Sequence, residues 1–453
     1  MINTTIAAIA TPPGEGGIAV IRVSGENAIA VCDRIFSGKK TLSESASHTL
    51  HYGHIKAGER ILDEVLVGVM RAPHSYTGED VVEISCHGGT YVTQSVLSAI
   101  LENGAIMASP GEFTKRAFLN GKLDLSQAEA VIDLIQAESK EAATLSVNQL
   151  DGKLSAPIQE QRSALLSLTA HLDAMADFPD EGIGELSEET VRVSIERSKQ
   201  TLSSMCEQAE QGRMIRNGIN TVIVGKPNVG KSSLLNALSG TDRALVTGEA
   251  GTTRDVIEER IRLGAARLNI FDTAGIREGA GEIEEMGIQK ALSYVKQADL
   301  IFFVLDATFS FAQEDEEIAE LIQDKKTIIL INKTDVADTY TLPERFAHLP
   351  VIRISAKTGM GIKELAETVE TMFRLGEVSE NHDAAVINMR HKQAIFEAIQ
   401  HLDSALDALS SGMPLDFLSV VLRAAVSALG EITGQTVSDE IIDEIFSRFC
   451  LGK

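Results

Sequence analysis

The stretch TVIVGKPNVGKSSLLNALSG (221–240) decides the fold of the segment around it. A short β-branched run, TVIV, reads as a buried strand. It is followed by Gly225-Lys-Pro-Asn-Val-Gly230-Lys231-Ser232 and then by a segment with helical spacing. In that strand–loop–helix context the glycines let backbone N–H groups wrap phosphates, Lys231 reaches the β- and γ-phosphates, and Ser232 can ligate magnesium. Taken alone, the stretch identifies a nucleoside triphosphatase and leaves the base open.

Downstream motifs supply the base. Asp272-Thr-Ala-Gly275 closes the run RLNIFD (267–272), which sets a carboxylate at the carboxyl edge of a sheet, near the magnesium shell, and leaves Gly275 free to approach the γ-phosphate. Asn332-Lys333-Thr334-Asp335 follows TIILI. Asp335 can accept from the guanine ring N–H and its exocyclic amine together, and Lys333 can pack along the base; adenine lacks that amine, and a site left with unpaired polar groups rejects it by on the order of 10⁴. Ser355-Ala356-Lys357 after VIRI offers a backbone N–H to the guanine carbonyl. Gly251-Thr252-Thr253-Arg254-Asp255 falls between the phosphate loop and Asp272, where a loop must close over the γ-phosphate, and Thr253 is the candidate magnesium ligand there. Ile276 occupies the position after Asp-x-x-Gly where many GTPases carry a water-orienting glutamine. Glu282, Glu284 and Glu285 are the nearby carboxylates that can replace it.

Around this centre the apolar runs TVIVG (221–225), RLNIFD (267–272), ADLIFFVLD (298–306), KTIILIN (326–332) and VIRIS (351–355) alternate with helix-length segments, which predicts a parallel-rich sheet with helices on both faces. Residues 1–118 carry β-rich runs such as GIAVIRVSG (17–25) and LDEVLVGVM (62–70) and predict an α+β domain. From Leu125 the spacing is helical; it is interrupted at Phe178-Pro179 and restarts near Ser187, a plausible N-cap. Helical texture returns over 391–409 and 417–432. The economical reading is an α/β domain inserted into a helical one. It gives 1–118, 119–217 as the first helical half, 218–376 as the nucleotide domain, and 377–453 as the second helical half; two separate helical domains are the alternative.

At 453 residues and 44% hydrophobic content the chain suits about three packed domains. Its first basic residue is Arg22 and its apolar runs are short, so a cytoplasmic protein with neither secretory signal nor membrane span is expected. Four dispersed cysteines, Cys32, Cys86, Cys206 and Cys450, fit reduced thiols rather than a disulfide framework or a cysteine zinc site. Cys450 is four from the end, but Leu451-Gly452-Lys453 matches a prenylation signal poorly. The formal net charge of −24 repels a phosphate backbone at long range, so any RNA in the system should be held by a more basic partner.

These motifs, together with TPPGEGGIAVIRVSG (11–25), SYTGEDVVEISCHGG (75–89), PGEFTKRAFLNGKLDLSQAEA (110–130) and the terminal Phe449-Cys450-Leu451-Gly452-Lys453, resemble the MnmE (TrmE) family of tRNA-modification GTPases over the whole chain. The resemblance implies a folate-binding, dimer-forming N-terminal domain, a helical domain and an inserted Ras-like G domain. It implies a 5-formyltetrahydrofolate site at Arg22, Glu83, Lys122 and Lys453, residue types suited to folate carboxylates and a pterin edge. It places guanine-nucleotide contacts at Asn228, Val229, Gly230, Lys231, Ser232 and Ser233; at Thr247, Gly248, Glu249, Ala250, Gly251, Thr252 and Thr253; at Asp272, Thr273, Ala274 and Gly275; and at Asn332, Lys333, Asp335, Ser355, Ala356 and Lys357. Magnesium falls to Ser232 and Thr253. A potassium ion, standing where other GTPases use an arginine finger, falls to Asn228, Thr247, Glu249 and Thr252, and Glu284 matches the glutamate that orients the hydrolytic water, with Lys231 as the second catalytic residue.

The function the resemblance implies is shared with a flavin-dependent MnmG-type partner. It is the addition of an aminomethyl or carboxymethylaminomethyl group to C5 of the wobble uridine of certain tRNAs, with a tetrahydrofolate supplying the one-carbon unit and GTP hydrolysis driving G-domain motion. Cys450 has no His or other base beside it in sequence, which favours a small thiol buried or packed near the folate site over a nucleophile. A regulatory GTPase of ribosome assembly would share the G motifs, but the N-terminal and C-terminal motifs have no place in it. A folate-dependent one-carbon transferase with merely regulatory GTP is the other alternative.

Overall fold

The structure is a computed structural model, and it describes residues 4–137, 140–177, 187–239, 259–272, 294–337, 339–373 and 388–453. The chain forms two compact units: Met1–Glu138, Ser146–Ser203 and Met389–Lys453 make the first, and Ser139–Leu145 and Ser204–Asn388 the second.

The first unit is built on a seven-stranded sheet. Its strands are β1 (Ile6–Ile9), β2 (Gly16–Ser24), β3 (Phe36–Gly38), β4 (Thr49–Ala57), β5 (Arg60–Met70), β6 (Val81–Gly88) and β7 (Ile106–Met107), in the order β3-β4-β5-β6-β2-β1-β7. All neighbours are antiparallel except β1 and β7. Alternation sends Ile21, Val23, Val65, Val67, Val69, Val82 and Ile84 to one face, where α1 (Ala28–Asp33) and α2 (Thr90–Glu102) cover them. The opposite face carries the cross-strand rows Arg22–Glu83–Gly68–Leu50 and Val20–Ser85–Leu66–Tyr52. There Leu50, Tyr52 and Leu66, with Ile18 nearby in sequence, remain exposed.

Helices complete this unit: α3 (Glu112–Leu119), α4 (Leu125–Ile135), α5 (Lys140–Leu150, which starts in the second unit), α6 (Ser155–Asp177), α7 (Glu188–Asn217, which ends there), α11 (Met389–Ser410), α12 (Leu415–Thr433) and α13 (Asp439–Ser447). Helix α4 starts where the sequence predicted because Asp124 and Gln127 form a reciprocal cap, each accepting the other's backbone N–H at 2.9 Å. Ser187 caps α7 as expected, accepting from Thr190 N at 3.2 Å. Helix α12 packs against both α6 and α11, so helices from before and after the second unit share one core. Within it Glu129 accepts from Arg390 at 2.8 and 3.1 Å and lies 2.7 Å from His391 Nε2. Burial alone would raise the Glu129 carboxyl, but His391 and Arg390 overturn that and hold it down at about 2.

The second unit is a doubly wound sheet. Its strands are β8 (Ile219–Val224), β9 (Glu259–Leu263), β10 (Ala266–Asp272), β11 (Leu300–Asp306), β12 (Thr327–Asn332) and β13 (Val351–Arg353), in the order β13-β12-β11-β8-β10-β9. Only β9 runs antiparallel to its neighbour. Strands buried on both faces give the continuous apolar runs seen in the sequence: Phe302 and Val304 pack with α8 (Lys231–Ser239) and α10 (Ile362–Met372) on one side. Phe303 and Leu305 pack on the other with α9 (Gln313–Leu321). Strand order reverses between β8 and β11, and the carboxyl edge at such a reversal is where ligands enter open α/β sheets.

Candidate functional site

The phosphate loop leaves β8 at that edge. Gly225 (φ 152°) is required there because a Cβ would lie 2.4 Å from the Val304 carbonyl oxygen, and Gly230 (φ 98°) because a Cβ would lie 2.3 Å from Asn332 Nδ2. Asn228 takes φ 63° without being glycine, a conformation that persists only when the surroundings hold it. They do. Asn332 Nδ2 donates to Val229 O at 2.8 Å, and Lys333 Nζ donates to Asn228 O at 2.8 Å. Lys231 Nζ donates to Gly225 O and Lys226 O, both at 2.8 Å. Ser232 and Ser233 open α8 with exposed side chains, as magnesium or phosphate contacts require.

The residues expected to read the base meet the same loop from the neighbouring strands. Asn332, buried at the end of β12, accepts from Ala356 N at 3.0 Å through Oδ1, so one side chain ties the phosphate loop to the Ser355-Ala356-Lys357 loop. Ser355 Oγ, itself buried, donates to Asp335 Oδ1 at 2.8 Å and aims the exposed carboxylate. Lys357 is exposed beside it in sequence. Asp272 ends β10 in register with Ile223, one residue short of the last residue of β8.

Thr247, Gly248, Glu249, Ala250, Gly251, Thr252 and Thr253, then Thr273, Ala274, Gly275, Ile276, Glu282, Glu284 and Glu285 lie outside the described residues.

Two carboxylates that the motifs do not include complete the constellation. Asp306 ends β11 and pairs with Lys333 Nζ at 2.6 Å while accepting from Thr308 N at 2.9 Å. Burial acts against its charge, but the bonds from Lys333 and Thr308 outweigh that and hold its carboxyl below the ordinary range. Asp315, on α9 and 1% exposed, pairs with Lys226 Nζ at 2.8 Å. Burial first, then the charges of Asp315 and Asp306, push the Tyr340 phenol up to about 12.

A second cluster lies in the first unit. Arg22 and Glu83, cross-strand partners, form an ion pair at 2.8 Å, and Arg22 also donates to Gly452 O at 3.4 Å. The rings of Tyr76 and Phe113 lie 5.4 and 5.7 Å from the guanidinium. The C-terminal tail reaches this place because Gly452 (φ 88°) passes the backbone of β1, where a Cβ would lie 2.3 Å from Ile9 O, and because Lys453 O accepts from Phe113 N at 3.2 Å. Burial and then the Arg22 charge lower the Lys453 ammonium below its ordinary value, against the opposing pull of Glu83 and Cys450. Lys122 donates to Pro73 O at 3.2 Å, on the loop that carries Tyr76. Three cations, Arg22, Lys122 and Lys453, and the Glu83 carboxylate, with Arg22 against two aromatic rings, fit a flat ring with donor groups and a carboxylate tail, the chemistry of a folate. Cys450 is exposed rather than buried, since Phe449 takes the buried place in the cluster with Phe446, but it lies close enough to Lys453 for its charge to act on that ammonium.

Two family models match the chain: the MnmE helical domain over residues 125–450 and the GTP-binding protein TrmE N-terminus over residues 5–122. Among curated proteins, the tRNA modification GTPase MnmE of Acetivibrio thermocellus is 46% identical over 99% of both chains. That of Lachnoclostridium phytofermentans is 47% identical over 100% of both. Among solved structures, a variant of Aquifex aeolicus Era bound to GDP and aluminium fluoride aligns over 40% of this chain and 65% of its own, at 29% identity, with a TM-score of 0.27.

Proposed function

Because the chain belongs to the MnmE (TrmE) family of tRNA modification GTPases, we propose that it hydrolyses GTP in a potassium-dependent manner and, with a flavin-dependent MnmG-type partner, modifies C5 of the wobble uridine of certain tRNAs. The group added is aminomethyl or carboxymethylaminomethyl. The observation that carries the hydrolytic half is the single side chain of Asn332 joining the phosphate loop to the guanine loop, with Asp335 aimed by Ser355.

On this reading Asp335 accepts from guanine, Lys333 packs along the base, and Lys231 leaves the Gly225 and Lys226 carbonyls for phosphate oxygens. Ser232 and Thr253 hold magnesium. Asn228, Thr247, Glu249 and Thr252 hold potassium, which when bound neutralises charge developing between the phosphates. The exposed side chain of Asn228, whose backbone is held in place through its own carbonyl, suits that role. Glu284 orients the water that Ile276 cannot.

The Arg22–Glu83–Lys453 cluster, with Lys122, is assigned to a tetrahydrofolate carrying the one-carbon unit. The exposed apolar patch of Leu50, Tyr52 and Leu66, on the same sheet face as Arg22 and Glu83, supports homodimerisation through residues 1–118. The helical domain is assigned to 119–217 with 377–453, and the G domain to 218–376. Among the described residues no helix is long and apolar enough to cross a membrane. The net charge of −24 suits an arrangement in which the partner holds most of the tRNA.

The test is reconstitution: the chain, the flavin-dependent partner, unmodified tRNA, a folate one-carbon donor, GTP and potassium, with nucleoside analysis by mass spectrometry. The wobble uridine gains the C5 substituent with GTP and not with a non-hydrolysable analogue. Unmodified tRNA despite GTP turnover contradicts the proposal.

A further inference from the structure

The phosphate loop is held at several of its residues, and one of the groups that hold it belongs to no nucleotide-binding motif. Gly225 and Lys226 accept from Lys231, Asn228 from Lys333, and Val229 from Asn332. The remaining anchor is the Lys226 side chain, 20% exposed, whose ammonium reaches sideways to Asp315 on α9 at 2.8 Å. Asp315 is 1% exposed, and the same carboxylate oxygen accepts from Ala312 N at 3.0 Å at the start of that helix. A buried carboxylate needs a counter-charge. Here that charge comes from a residue whose own backbone carbonyl holds the ammonium of Lys231.

From this we infer that Asp315 is a positioning residue for nucleotide binding. Through Lys226 it fixes the loop in its phosphate-ready form before the nucleotide arrives. Three residues of the loop, Gly225, Asn228 and Gly230, sit at positive φ, so a released loop has other conformations open to it. Binding would then have to restore the order that the ion pair now maintains, and affinity falls without change to the chemistry at the γ-phosphate. Asp315 touches neither base nor phosphate in this role, which separates it from Lys231 and Asp335.

The inference rests on the phosphate loop being the GTP site, and the experiment separates the two. Full-length wild type, Asp315→Asn, Lys226→Gln and the double variant are compared by titration with a fluorescent GDP analogue and by steady-state GTP turnover. Asp315→Asn keeps the acceptor for Ala312 N and removes the charge; Lys226→Gln leaves Asp315 and its helix start in place. Each single variant is expected to weaken GDP binding and raise KM for GTP roughly tenfold, the size of one charge-assisted hydrogen bond, with kcat within about twofold of wild type. The double variant is expected to be no worse than the weaker single one.

Affinity within about twofold of wild type in Lys226→Gln overturns the inference, and that variant decides the matter alone if Asp315→Asn does not fold. So does a loss confined to kcat, or single effects that add fully in the double variant. Failure of the wild type itself to bind guanine nucleotide removes the site reading beneath it.

Discussion

Replacing Asn332 by Ala deletes a side chain that ties the phosphate loop to the Ser355-Ala356-Lys357 loop. Asn332 is 2% exposed and makes two hydrogen bonds, to Val229 O at 2.8 Å and from Ala356 N at 3.0 Å. Both partners stay behind without it. With about 1–1.5 kcal/mol lost per bond, the low end of the range for stranded buried groups, the total is about 2–3 kcal/mol, or roughly 30- to 150-fold in affinity. The nucleotide then has to reorder both loops on binding. Titration of the purified variant with a fluorescent GDP analogue reads that loss directly, with far-UV circular dichroism confirming a folded chain. Asn332→Asp should bind no better than Asn332→Ala: one oxygen still accepts from Ala356 N, but the other sets a buried carboxylate against the Val229 carbonyl oxygen with nothing to donate between them. A folded Asn332→Ala variant that binds GDP within about twofold of wild type refutes the reasoning, since the tie would then be incidental to the site.

Asp335→Asn exchanges a dual acceptor for a group with one acceptor and one donor. GTP turnover should fall by about 10²-fold or more and xanthosine triphosphate, which carries a carbonyl where guanine has its amine, should become the better substrate in a competition assay. Glu129→Gln leaves Arg390 without its carboxylate partner and should destabilise the first unit by about 3 kcal/mol at pH 7, read by denaturant unfolding. The Glu129 carboxyl is held at about 2 when folded against an ordinary 4.5, so its contribution is complete above pH 4.5 and lost as pH falls toward 2; the gap between wild type and variant should close over that window. Tyr52→Asp places a charge in the exposed apolar patch and should turn a dimer into a monomer by light scattering, with GTP affinity unchanged.

The strands of the second unit were legible because they are buried on both faces, so LIFFVLD and TIILIN read as apolar runs ending at the residues that carry chemistry. The start of helix α4 was legible from the helical spacing that begins at Leu125, and the Asp124–Gln127 cap that fixes it is seen in the structure. Strand β4 was harder, since Leu50 and Tyr52 on it face outward beside polar neighbours and no core pattern emerges. Asp306 and Asp315 were illegible as site residues. A lone aspartate ending a strand or opening an acidic helix has no distinguishing spacing, and only the fold shows that each one faces a lysine of the nucleotide loops. Cys450 went the other way: a thiol with no base beside it in sequence was expected to be buried or packed near the folate site, but Phe449 fills the buried place and Cys450 is exposed.

The central claim is tested most directly by GTP turnover of the full-length protein in potassium against sodium at equal ionic strength, with Glu284→Ala alongside. Turnover should be much faster in potassium and collapse in the variant under either salt. Equal rates in both salts would contradict potassium dependence and return Asn228, Thr247, Glu249 and Thr252 to ordinary loop residues, and an active Glu284→Ala would contradict the water-orienting role.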